Sequence, residues 1–189
     1  MLFHVATGVL PVGHVLHPYA IAREHRALIS LADHAASVGP GAMRDFLAGA
    51  EWRDLLQQRD HRAEMVLLEA LFERARVRVA PRLPSRLDAV FAWRTLAVAR
   101  RYRAEYHPSG VIHRCSLAAG TAIERDGALV VAAFEAADLA RPSARDLRLV
   151  DERAERYWLA QAPMALPETL VHGSVVIEAV IASCIDVKS

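Results

Sequence analysis

From about Ile21 to Val77, apolar residues recur at helical spacing, and the strand-like runs of the chain lie outside this stretch. That segregation limits the fold more than any motif does. Ile21, Leu28, Ile29, Leu31 and Ala35 share one helical face, which Gly39-Pro40-Gly41 stops. A second helix is expected over about 42–57. A third is expected over about 61–77, where Met65, Leu68, Phe72 and Ala75 form a stripe and Glu64, Glu69, Glu73 and Arg76 face mostly away. Pro81 and Pro84 end the block.

Before the block, Leu2 to Ala6 reads as a strand that must be pinned inside a sheet to be ordered, and Val9 to Leu16, broken by Pro11 and Gly13, as a loop or edge segment. After it, a strand is expected at 89–93 and a helix from Leu96 to about Glu105 with Thr95 as its N-cap. His107-Pro108-Ser109-Gly110 is turn chemistry, 111–117 a strand and Asp126-Gly127 another turn. Residues 128–140 fit either helix or strand, helix being preferred for their alanines, and a helix is expected over 144–159, followed by a β-branched stretch from Thr169 to Ile185 that Gly173 splits or bulges. This order is neither βαβ alternation nor all-β, so the class is α+β. The chain is expected to be a single domain over 1–189, with a helical block of about 21–78 inserted between strands one and two. The first strand is expected to be a central one, paired with the C-terminal strands, with His4 pointing into a cleft.

With 189 residues, 53% of them apolar, the chain can bury a core without staples. The 23 basic and 22 acidic residues leave a charge of +1, so no whole-molecule field draws nucleic acid or anionic lipid. Cys115 and Cys184 form no CxxC pair, and reduced thiols in a cytoplasmic protein follow. The N-terminus lacks the charged start of a signal peptide, and no stretch approaches the ~18–20 apolar residues of a membrane span. The expectation is a soluble cytoplasmic protein, or one delivered as a soluble effector without a classical signal peptide, with no membrane partner.

The common catalytic signatures are missing from the sequence: no GxSxG, Walker A, GxGxxG, HExxH or EF-hand loop. His14 and His17 at HxxH spacing, with His113 and Cys115 elsewhere, do not force a metal site, and no metal is expected.

Phe3-His4-Val5-Ala6-Thr7-Gly8, with Leu10, Gly13, Leu16 and Pro18 behind it, resembles the first-strand motif of the ADP-ribosyltransferase-like superfamily, both the diphtheria-toxin/poly(ADP-ribose) polymerase type and the rifampin-modifying bacterial type. Ser85-Arg86 before Val90-Phe91-Ala92-Trp93 and an alanine-rich helix resembles the family's tyrosine-bearing strand, with Phe91 where the tyrosine stands. Pro167-Glu168-Thr169-Leu170-Val171 resembles its late strand with the catalytic glutamate. The resemblance implies a split, mixed or antiparallel sheet and cleavage of NAD, used as a substrate, with transfer of ADP-ribose to an unidentified acceptor: a protein, a nucleic acid or a small molecule. His4 would bond a ribose hydroxyl, the Val5 main chain the nicotinamide carboxamide, and the Phe91 ring would pack on the nicotinamide. Glu168 would be the catalytic carboxylate, with Glu124 and Asp126 as second-choice acids. Arg86 would either meet a phosphate of NAD or decorate the surface.

The chemistry asks for these residue types. Breaking the nicotinamide–ribose bond builds oxocarbenium charge on the sugar, which a fixed carboxylate stabilises. The alternatives stay open beside it: His4 as a hydrogen-bonded core histidine, Glu168 as a solvated loop carboxylate, and the whole chain as a catalytically silent nucleotide- or protein-binding module.

Overall fold

The structure is a computed structural model and describes residues 1–18, 26–57, 62–160 and 164–182. The expectations for 21–25 and 183–185, and Cys184, lie outside these residues. In chain order the elements are β1 (Leu2–Ala6), β2 (Val15–Leu16), α1 (Arg26–Val38), α2 (Pro40–Ala48), α3 (Ala50–Leu56), α4 (Arg62–Val79), a 3-10 turn (Arg86–Asp88), β3 (Val90–Ala92), α5 (Leu96–Tyr106), β4 (Val111–Asp126), α6 (Gly127–Ala136), α7 (Ala144–Trp158) and β5 (Pro167–Ala182). The class is α+β, and the described strands pair antiparallel throughout. The chain divides into two compact units, Met1–Tyr19 with Asp88–Gly127 and Met164–Ser189, and Ala20–Leu87 with Ala128–Pro163.

The first unit holds the sheet. β4 and β5 form a long ladder from Ile112↔Ala182 to Asp126↔Pro167, β1 lies on the outer side of β4, and β3 lies on β5 through Val90↔Val171 to Ala92↔Thr169. Phe3 and Trp93 then exchange both main-chain hydrogen bonds at 2.7 Å, so the ladder β1–β4–β5–β3 closes back on β1. β2 is a short edge on β5. One face carries Leu2, Val90, Ala92, Cys115, Val171, Val175 and Ile177, all buried. The other carries Phe3, Val5, Trp93 and Ile112, covered by Leu96, Val98, Ala99 and Tyr102 of α5. Thr95 caps α5 as expected, its side chain accepting from the Val98 amide.

Four expectations are corrected here. β1 pairs with β4 and touches β3 rather than joining the C-terminal strand; β5 is the central strand. The strand at 111–117 runs on to Asp126 because β5 supplies a partner to weakly β-forming residues such as Ala119, Gly120 and Ala122, with Ala118 bulged out of the pairing. Asp126-Gly127 is therefore no turn between strand and helix; Gly127 opens α6 directly. Gly173 neither divides nor bulges β5, which stays in register there while the extra residue of the nearby bulge is Ala118 of β4: Gly173 and Gly120 face each other at φ 150° and 96°, and a Cβ on either would lie 2.0 or 1.9 Å from a carbonyl oxygen across the ladder.

The second unit is helical. Its block follows β2 and precedes β3, and the helix expected over 42–57 breaks at Gly49 into α2 and α3. In α4 the stripe is wider than the spacing suggests: Ala63, Val66, Leu67, Ala70 and Leu71 are buried along with Leu68, Phe72 and Ala75, while Met65 is exposed. α4 is packed by both α1 and α7, so more than one face is covered. Glu69 and Glu73, expected to face away, instead hold Arg86 and Arg76. Ser143 starts α7 with a capping box to Asp146 that the sequence reading did not single out.

Candidate functional site

β1, β3 and β5 run side by side, which sets His4, Val5, Phe91 and Glu168 on three adjacent strands of the sheet unit. Neighbouring strands lie about 4.8 Å apart, so β1 and β5 are separated by about 10 Å with β3 between. The bridge between Phe3 and Trp93 is isolated. Where the next rung of the β1–β3 ladder would form, the His4 ring intervenes: its Nδ1–H donates to the Phe91 carbonyl at 2.8 Å. Main-chain groups alternate in direction along an antiparallel strand. Phe3 aims its amide and carbonyl at β3, so Val5, two residues on, aims its own the same way, into the gap the ladder leaves.

The Phe91 bond fixes the His4 tautomer and leaves Nε2 as an acceptor. Burial lowers the His4 pKa, the Phe91 bond partly opposing it and His113 and His107 adding to it, so the ring is neutral. Directly across β4, His113 is fully buried and its pKa is also lowered by burial. Its Nε2 accepts from the Leu10 amide at 2.9 Å. In the sequence His113 stands out only as a candidate metal ligand; alternation puts it on one face of β4 with Val111 and Cys115, and the β1–β4 register sets that face beside His4.

Alternation places the side chains of Phe91, Leu170 and Glu168 on one face and those of Ala92, Thr169 and Glu124 on the other. The His4 side chain leaves β1 on the Leu2 face, and its ring turns into the plane of the gap to reach a main-chain carbonyl. Glu168 is not a solvated loop carboxylate: it is 8% exposed, opposite Arg125, and packed so closely on Gly127 that a Cβ there would lie 3.0 Å from its Oε2. Glu124 stands on the other face, ion-paired to Arg94. Asp126 accepts from the amides of Ala165 and Leu166 at 3.0 and 2.9 Å and fixes the entry to β5.

Arg86 is set apart from this group. It belongs to the helical unit, is 6% exposed, donates to both carboxylate oxygens of Glu69 and to the Tyr157 hydroxyl at 2.7 Å, and lies over the Phe72 and Tyr157 rings. The surface alternative is thereby corrected, and a phosphate role has no support from its surroundings. Among the described residues no three His, Cys, Asp or Glu side chains are grouped to hold a metal ion. None of the described helices is long and apolar enough to cross a membrane.

Residues 47–183, most of the chain, match a family described as a protein of unknown function, DUF2441. The chain belongs to the DUF2441 family. No curated protein matches it. The DUF2441 match spans Phe91, Glu124, Asp126 and Glu168 and begins after β1, so His4 and Val5 lie outside it.

Proposed function

We propose that the sheet unit binds the nicotinamide end of NAD at the gap between β1 and β3, and that the protein is an ADP-ribosyltransferase-like enzyme. The finer fold assignment, a transferase-type split sheet with a helical insertion, belongs to the same proposal. The His4–Phe91 bond is the observation that carries it, because it interrupts the β1–β3 ladder and leaves the Val5 main chain facing the gap. A primary carboxamide offers an acceptor and two donors, which pair with an amide and a carbonyl of one strand residue. The His4 Nε2 accepts from a ribose hydroxyl.

Bond cleavage sends the electron pair of the C–N bond to the pyridinium nitrogen and leaves oxocarbenium charge on the ribose. The Glu168 carboxylate, on the Phe91 face one strand beyond, stabilises that charge. The acceptor's nucleophile closes the new bond to the anomeric carbon, and its proton passes to solvent.

A second reading, a silent nucleotide-binding module, is favoured by the burial of Glu168 against Gly127. The two readings share NAD binding and differ in turnover. NAD is expected to raise the melting temperature by mass action, His4→Ala to weaken the rise more than His14→Ala or His17→Ala, and nicotinamide to accumulate. No shift with millimolar NAD removes both readings; a shift without nicotinamide release leaves the silent module.

A further inference from the structure

The flank of α5 that leads to Val5 carries two arginines that meet no carboxylate among the described residues. At 100° per residue, Arg100, Arg103 and His107 share one side of this helix. Arg101 and Glu105 lie on the other side, paired at 3.0 Å, and Arg94 and Arg114 elsewhere in the sheet unit pair with Glu124 and Glu178. No carboxylate among the described residues meets Arg100 or Arg103. The Arg103 Nη1 is closed off from the surface and still bonds nothing described. An ionised donor in that position is ordinarily matched by an anion.

The helix end fixes where this flank points. Gly110 is packed between Val5 and His107: a Cβ on it would lie 2.6 Å from the Val5 Cγ1 and 3.3 Å from the His107 Cγ. His107 also lies near enough to His4 to depress its pKa. A rise of 1.5 Å per residue sets Arg103 about 6 Å and Arg100 about 10 Å back along α5 from His107. That is the reach of one ribose and one phosphate ester from a nicotinamide held at Val5.

We infer that Arg103 and Arg100 bind the diphosphate of the dinucleotide, so that NAD lies along α5 with its nicotinamide at Val5. The inference rests on the proposed NAD site. It replaces Arg86 with two arginines of the sheet unit itself, and it predicts that a ligand's phosphates, rather than its base, decide how tightly this flank holds it. The fork of each guanidinium suits the two non-bridging oxygens of a phosphate.

The test is calorimetric titration of the full chain with NAD, nicotinamide and inorganic pyrophosphate. The proteins are the parent, Arg100→Met, Arg103→Met and, as a control from the paired flank, Arg101→Met. Each of the first two variants is expected to weaken NAD and pyrophosphate about tenfold, the loss of one charge-assisted contact, to flatten the salt dependence, and to leave nicotinamide unchanged. Parent-like NAD affinity in the Arg100→Met/Arg103→Met double variant, with its far-UV spectrum intact, overturns the inference and leaves the nicotinamide site standing. Arginine-dependent pyrophosphate binding in a parent that ignores nicotinamide and NAD sinks the NAD site and this orientation of NAD, leaving an anion site alone. Binding of none of the three ligands by the parent overturns both.

Discussion

The His113 ring accepts a hydrogen bond from the Leu10 amide at 2.9 Å, so the segment after β1 is tied to the sheet only while that ring is neutral. Burial lowers the folded pKa of His113, and of His4 and His172 as well. A group depressed in the folded state stabilises above its unfolded pKa and loses that contribution as pH falls through the folded value. Urea midpoints are therefore expected to drop as pH falls below about 6.5, the unfolded value. His113→Gln, which keeps an acceptor but does not titrate, is expected to flatten the profile. An unchanged slope in that variant rules His113 out as its source.

Glu168 and Glu124 lie on opposite faces, so their glutamine variants separate the two carboxylates. Glu168→Gln is expected to lower the rate of nicotinamide release about 10²- to 10³-fold with NAD affinity held, whereas Glu124→Gln, which loses only an exposed pair with Arg94, stays near the parent. The opposite pattern moves the acid to the other face of the sheet. Asp126→Asn is expected to affect stability first, because the carboxylate ties down the amides of Ala165 and Leu166.

Gly120 and Gly173 meet where no Cβ fits. Gly173→Ala must either move the Ala119 carbonyl or break the ladder, and a loss of about 3 kcal/mol or more in chemical denaturation is expected. Gly8→Ala, with nothing within 4 Å of its added carbon, is the matched control. Equal midpoints for the two variants would show that the approach of the two strands is not as close as described.

Arg86→Met is expected to cost about 3–5 kcal/mol, since it strands the half-buried Glu69 carboxylate, and Arg86→Met/Glu69→Leu to recover most of the loss. NAD affinity should not change in the double variant. A selective loss of NAD binding there would return Arg86 to the ligand site.

The sequence by itself determined what depends on neighbours along the chain. Helical spacing placed α1, α4, α5 and α7, Thr95 announced its own cap, and the apolar run at 2–6 became β1. For the candidate site it supplied His4, Val5, Phe91 and Glu168, but only as separate short runs. Their placement on the neighbouring strands β1, β3 and β5, with His4 leaving on the face opposite Phe91 and Glu168, was decided by the tertiary structure, because pairing is a contact between residues distant in sequence and alternation fixes only which face each side chain takes. The same holds for the misread parts. The extension of β4 through Ala119, Gly120 and Ala122 needs the hydrogen bonds of β5. The fate of Arg86 needs Glu69 and Tyr157, which lie 17 and 71 positions away along the chain and whose distance from it no local pattern encodes.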